Sequence, residues 1–151
     1  GYFASLDDCR ARYGLKPQDI GIELTENILI KAGSEALEEL KKQREKGVEI
    51  SVDDFGVGYS SLSYLKHFPV SHLKIDRTFL KDAPESAYDG ALMEAIVNVG
   101  HKLDLYIVAE GVETAEQSRY CQELKVEYAQ GFLYAKPMPA RELEKLLMPT
   151  E

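Results

Sequence analysis

The sequence predicts an α/β fold built on a parallel sheet. Apolar residues alternate along the chain between the two-residue period of strands and the longer period of helices, and each strand-like run is followed by a helix-like one. With 151 residues, 44% of them hydrophobic, the chain suffices for one domain with a real core and not for two. Five such strands fit either a complete doubly wound sheet or part of an eight-stranded barrel, which normally takes about 250 residues.

The elements follow in order. A helix is expected over 3–13 and a strand over 20–25, in "IGIELTE". Ser34 can cap the next helix, 34–46, whose acidic first turn and basic last turn suit its dipole and which Gly47 stops. A strand over 48–53 leads to a helix over 60–67, and a strand over 71–76 leads into "KDAPESAYDG", the most loop-like stretch. A helix over 88–102 and a strand over 105–110 come next. Thr114 and Gln117 form a capping box for a helix over 115–124. A strand over 126–130 and a helix over 140–148 close the series; the apolar face of "ARELEKLL" is most simply packed, with a partner interface as the alternative.

Charge and composition exclude several classes. A net charge of −8 argues against duplex nucleic acid as a partner, because phosphate backbones are bound mainly by lysine and arginine. Cys9 and Cys121 have no CxxC spacing, so neither a zinc site nor a disulfide framework is expected, and a reducing compartment follows. No apolar run approaches the roughly 18 residues of a membrane span, and no signal pattern opens the sequence. The expected location is cytoplasmic, with membrane anchoring left to other parts of a longer protein.

Side-chain parity then selects one face of each strand. Ile20, Ile22 and Leu24 oppose Gly21, Glu23 and Thr25; Val48, Ile50 and Val52 oppose Ser51 and Asp53; Leu73 and Ile75 oppose His72, Lys74 and Asp76; Leu105, Ile107 and Ala109 oppose Tyr106, Val108 and Glu110. One face packs under helices, and the other carries Glu23, Asp53, Lys74 and Glu110 near the C-terminal strand ends, where β/α folds build their sites. The rule fails for "VEYAQG", where Gln130 shares a face with Val126 and Tyr128. Each charge alone reads as a solvated strand end; several together point to a site, since carboxylates are rarely buried unless paired or metal-bound. Clustered oxygen ligands without His or Cys suit Mg²⁺ or Mn²⁺, and adjacent Asp53 and Asp54 can bridge two ions of the kind that clamp a phosphoester displacement. Lys74 would orient water or neutralise charge on the phosphate.

Other motifs are set aside. "DFG" at 54–56 and "APE" at 83–85 mimic a kinase pair, but no HRD loop or glycine-rich loop accompanies them. Gly56 and Gly58 lack the third glycine of a dinucleotide fingerprint and more simply permit a mobile loop. Lys74 alone would also fit a Schiff-base nucleophile. His67 and His101 read as helix-surface residues, His72 has the right parity but no partner histidine, and Tyr59 and Phe132 read as packing rather than base-stacking platforms.

The sequence resembles the EAL-domain family of cyclic di-GMP phosphodiesterases. "IELTEN" is similar to the family's Glu-x-Thr-Glu strand, "DDFGVGYSSLSYLKHFPVSHLKID" to its signature loop and lysine strand, "VAEGVET" to its glutamate strand and "QGFLYAKPMP" to its closing motif. The likeness runs from about residue 3 to 147 in the family's order. It implies a (β/α)8 TIM-type barrel, of which this chain would supply about five β/α units, and hydrolysis of one phosphodiester of cyclic di-GMP, with two divalent metals, to the linear dinucleotide pGpG.

By matching motif, the resemblance implies Glu23 and Asp53 as metal ligands and Asp54 at the second metal, with Lys74 and Glu110 holding or activating water and Glu110 the general base. It implies that Glu26 stabilises the loop after Asp54, that Glu113 supports the metal shell, and that Gln130 lies near the substrate. Val57 stands where the family often has threonine. The whole of 1–151 would be the C-terminal portion of the domain, the Glu-Ala-Leu motif with its arginine and the asparagine strand belonging to three absent β/α units. Expected partners are cyclic di-GMP, a second copy in a homodimer, and sensory or signalling domains of a longer chain. The alternative function is a catalytically inactive module that binds the dinucleotide or a protein, and a complete flavodoxin-like domain is the third reading.

Overall fold

The computed structural model of the chain describes residues 2–56 and 65–148. Helix α1 spans Tyr2–Tyr13, followed by β1 Gly21–Thr25, α2 Glu26–Lys31, α3 Ser34–Glu45, β2 Glu49–Phe55, β3 His72–Ile75, α4 Arg77–Leu80, α5 Ala87–Lys102, β4 Tyr106–Glu110, α6 Ala115–Glu123, β5 Tyr128–Gln130 and α7 Ala140–Leu147. Within the helix expected over 60–67, Leu65–His67 form a 3-10 turn and the rest lies outside the described residues, as do Val57 and Tyr59.

The five strands form one sheet in the order β1-β2-β3-β4-β5, and every neighbouring pair is parallel. A doubly wound sheet reverses its strand order at a switch point, and this one never does. The flavodoxin-like reading is thereby overturned: the chain is wound one way, as a wall of a barrel.

Strand parity explains the core. Ile50, Val52, Leu73, Ile75, Ile107 and Ala109 are buried on the outward side in one cluster with Leu29, Leu40, Leu80, Met93, Val97 and Cys121, and Ile22 is buried as well. Gly100 lets α5 approach β4, since a methyl group there would overlap the Ile107 side chain. Burying one such aliphatic side chain is worth roughly 1.5–3 kcal/mol. The inner face is left open, and Tyr106 and Tyr128 are each half exposed on it.

Several local expectations need correction. Gly33, not Ser34, is the N-cap of α3, and Ser34 is already helical. The stretch "KDAPESAYDG" is a loop only as far as Ser86, whose Oγ accepts from the Asp89 amide at 3.2 Å and so starts α5. Helix α7 is not packed: none of its residues is buried, and Leu146 and Leu147 are 67% and 74% exposed. Thr114 and Gln117 do make the capping box, and Gly47, at φ +99°, follows the end of α3.

The sheet's last strand is fastened at Gly131. The Val112 amide donates to Gln130 O and the Leu133 amide to Val112 O, both at 3.0 Å, and a Cβ on Gly131 would overlap the Val112 backbone. Backbone cannot yield as a flexible side chain can. Gly131→Ala should therefore cost about 2 kcal/mol or more in urea unfolding, while Gly33→Ala, with open space around it, should stay within about 0.5 kcal/mol.

Candidate metal centre at the strand ends

Lys74 sits in the middle strand of the sheet, 7% exposed. Its Nζ lies 2.9 Å from Glu23 Oε2 on β1, 2.8 Å from Asp53 Oδ1 on β2 and 2.9 Å from Glu110 Oε1 on β4. Parallel pairing in register (Thr25 beside Asp53, Lys74 beside Val108, Glu110 beside Gln130) brings these residues to one edge. The four charges predicted to converge do so.

Asp54 arrives by a different route. Regular alternation would send it to the helix side, opposite Asp53. The β2–β3 register shifts between Val52 and Phe55, and Asp54 takes the left-handed conformation, φ +53°. Bulges of this kind re-aim side chains, and aspartate tolerates that backbone better than most residues. As a result, ligand oxygens of Asp53, Asp54 and Glu110 all lie within 4.8 Å of one another.

The electrostatics are unbalanced. Glu23, Asp53, Asp54 and Glu110 gather about one ammonium, so four negative charges meet one positive and three remain. Burial by itself would lower the Lys74 pKa, but the Asp53, Glu110 and Glu23 carboxylates hold it above the usual lysine range. Glu110 is pushed upward, first by burial and then by repulsion from Asp53 and Glu23, which together outweigh Lys74. Asp53 Oδ1 is buried 2.8 Å from Nζ, and its second lone pair is open to a cation. The donor set is all oxygen and fits a hard divalent ion.

The other predicted residues occupy the surroundings. Glu26, buried at the start of α2, accepts from the Gly56 amide through Oε2 at 3.4 Å and so holds the turn after Asp54. Gln130 pairs with Glu110 along the backbone and is exposed. Glu113, which the resemblance ties to the metal shell, is not among the clustered ligand oxygens; it is exposed and lines a cleft with Arg77 and Lys81. His72 lies lower on the inner face, 2.9 Å from Ser71 Oγ and 3.2 Å from Glu49 Oε2, against Tyr106 and Tyr128. His101 Nε2 is 3.0 Å from Glu127 Oε1. Phe132 is 58% exposed beneath the Lys136 ammonium, not packed away. Shared parity of residues 72, 106 and 128 could have revealed the aromatic layer; nothing local signals the distant His101–Glu127 pair.

The EAL domain family model matches residues 2–137. The chain belongs to the EAL domain family. It is 43% identical, over 143 residues, to the bifunctional diguanylate cyclase/cyclic di-GMP phosphodiesterase MucR of Pseudomonas aeruginosa, covering 95% of this chain and 21% of that protein. It is 40% identical over 126 residues to the cyclic di-GMP phosphodiesterase PdeR of Escherichia coli, covering 83% of this chain and 19% of the relative. The chain thus spans about a fifth of the length of these curated relatives.

Among solved structures, the PaMucR phosphodiesterase in complex with c-di-GMP superposes with a TM-score of 0.86 at 42% identity, covering 93% of this chain and 57% of that one. The Klebsiella pneumoniae BlrP1 manganese/cy-diGMP complex gives 0.82 at 34% identity, covering 89% and 34%. The EAL domain described here is therefore a partial barrel: a five-stranded parallel wall matching part of longer EAL chains.

The charge imbalance has a measurable consequence. A carboxyl whose folded pKa is raised favours folding below its unfolded value, near 4.5, and loses that contribution as pH rises through the folded value. At about pH 7 in chelator, Glu110→Gln should melt a few degrees higher than the parent chain, and below about pH 4 the difference should vanish. Calorimetry with and without Mg²⁺ or Mn²⁺ should show the cation raising the parent's Tm more than the variant's.

Proposed function

We propose that this chain carries the metal-dependent hydrolysis of cyclic di-GMP to pGpG. The observation that carries the reading is one buried ammonium ringed by carboxylates from three strands, with a fourth turned in by a bulge. Family membership and relatives named as cyclic di-GMP phosphodiesterases supply the substrate class. In this reading Glu23, Asp53 and Asp54 hold two divalent ions, Mg²⁺ or Mn²⁺; the relative crystallised with manganese and the dinucleotide supports the ion class. Bound there, the ions supply Lewis acidity toward the phosphodiester oxygens.

The chain's own groups do the rest. Glu110, its carboxylate held 2.9 Å from the Lys74 ammonium, accepts a proton from water at the strand ends. The water oxygen bonds to phosphorus, the bond from phosphorus to the 3′ oxygen breaks, and the released 3′ oxygen takes up a proton. One water is added overall, leaving a 5′ phosphate and a free 3′ hydroxyl, which is pGpG. Lys74, cationic throughout, holds that water and offsets charge on the phosphate. Glu26 fixes the turn after Asp54, and Gln130 lies on the strand beside Glu110, within reach of bound substrate.

The same reading extends to the rest of the domain. Three further β/α units, carrying the Glu-Ala-Leu motif, its arginine and an asparagine, would close the barrel and cover the inner face on which Tyr106 and Tyr128 stand half exposed. We place the whole in the cytoplasm, in a longer signalling chain and as a homodimer. No helix among the described residues is long and apolar enough to cross a membrane.

Hydrolysis is tested by incubating the folded chain with cyclic di-GMP and Mg²⁺ or Mn²⁺ and separating cyclic from linear dinucleotide. Turnover that falls by about 10² or more in Glu110→Gln, and again in Lys74→Met, is the expected result. A folded chain that binds the dinucleotide without turning it over would be the catalytically inactive module instead.

A further inference from the structure

The turns that follow β3 and β4 enclose a cleft of about 430 Å³, lined by Arg77, Thr78, Lys81, Gly111, Glu113 and Gln117. None of these residues belongs to the carboxylate cluster. Arg77 and Lys81 are four residues apart, and the Lys81 amide donates to Arg77 O at 3.0 Å, so both cations stand on one face of a helical turn. Neither makes an ion pair within 4 Å among the described residues, though the Arg77 charge helps to hold the Asp76 carboxyl below its usual range. The nearby Asp76 uses one carboxylate oxygen to accept from both the amide and the hydroxyl of Thr78.

The cleft's walls are fixed relative to each other. Gln117 is 8% exposed; its Oε1 accepts from the Glu113 and Thr114 amides at 2.8 and 3.1 Å, and its Nε2 donates to Lys81 O at 3.5 Å. A Cβ on Gly111 would overlap Arg77 Cβ, so only glycine lets the two turns meet. Two like charges held side by side repel unless an anion lies between them. The planar guanidinium fork suits phosphate oxygens, and the ammonium adds a point charge. Glu113, lining the same cleft, disfavours a bare polyanion and offers an acceptor for an N–H donor on a ligand.

We propose that this cleft is a second ligand site, separate from the metal centre, that takes a small phosphate monoester bearing an N–H donor. Arg77 and Lys81 hold the phosphate, and Glu113 holds the donor. The ligand rests on the turns directly after the strands that carry Lys74 and Glu110.

Phosphoethanolamine and inorganic phosphate are the probes, titrated into the ¹⁵N-labelled chain in chelator so that no metal at the strand ends contributes. Phosphoethanolamine should shift the Thr78, Gly111 and Gln117 amides with a Kd of about 1–10 mM, a range equivalent to weak small-ligand binding. Inorganic phosphate should bind several-fold more weakly. The exposed double variant Arg77→Gln/Lys81→Gln, its fold checked by its dispersed spectrum, should lose at least tenfold, and Glu113→Gln should erase the preference for the amine. Absence of saturable shifts, shifts centred on Asp53 and Glu110 instead, or unchanged affinity in the double variant would overturn the assignment.

Discussion

A single buried ammonium organises the strand ends of this EAL domain. Lys74 can approach Glu23, Asp53 and Glu110 within 2.8 to 2.9 Å only if three strands bring their C-terminal ends around the fourth. Sequential parallel winding achieves this, because each β/α unit returns the chain to start the next strand at the same edge. Charge buried in this way is costly unless compensated, and one lysine cannot compensate four carboxylates. The rim is thus built around an unmet demand for positive charge.

Meeting that demand requires local departures from ideal structure. A register shift and a left-handed Asp54 bring adjacent aspartates together, where a regular strand would separate them. Gly56 and Gly111 also have positive φ, and each leaves room for a side chain from the β3–α4 segment, Phe79 at the first and Arg77 at the second. Glycine takes that backbone freely, but a non-glycine residue such as Asp54 is unfavourable there and persists only when its surroundings over-determine it. Here the surroundings are the apolar layer of Ile50, Val52, Leu73, Ile75 and Ile107, all fully buried. Stability resides on the outward face of the sheet, and strain on its rim.

This division explains what the sequence could and could not reveal. Two-residue alternation is a short-range rule, and it assigned the apolar layer and the convergence of Glu23, Asp53, Lys74 and Glu110 correctly. It could not see how Asp54 joins them, since a bulge depends on the pairing of two strands. Helix α2 is six residues long, too short to display a period, and escaped notice. Ser34 and Ser86 are both good capping residues by type, yet only Ser86 caps its helix, because the chain enters α3 through Gly33. The apolar stripe of α7 was legible; that nothing buries it depends on neighbours, not on its own sequence.

The open inner face links this geometry to the proposed chemistry. Parallel sheets are ordinarily covered on both sides. Here His72, Tyr106 and Tyr128 form an aromatic layer on the uncovered side, with Glu110 higher on the same face at 18% side-chain exposure. Screening by water weakens charge interactions and relaxes pKa shifts, so burial strengthens the pairing at the rim. Glu23, on the edge strand, keeps 56% of its side chain exposed, against 8% for Lys74 two strands inward. Units that close the barrel beside β1 would therefore change Glu23 most, desolvating it and strengthening its hold on both Lys74 and a divalent ion. Lys74 and Glu110, at 8% and 18% side-chain exposure, are already largely buried, so such closure would change them less than Glu23.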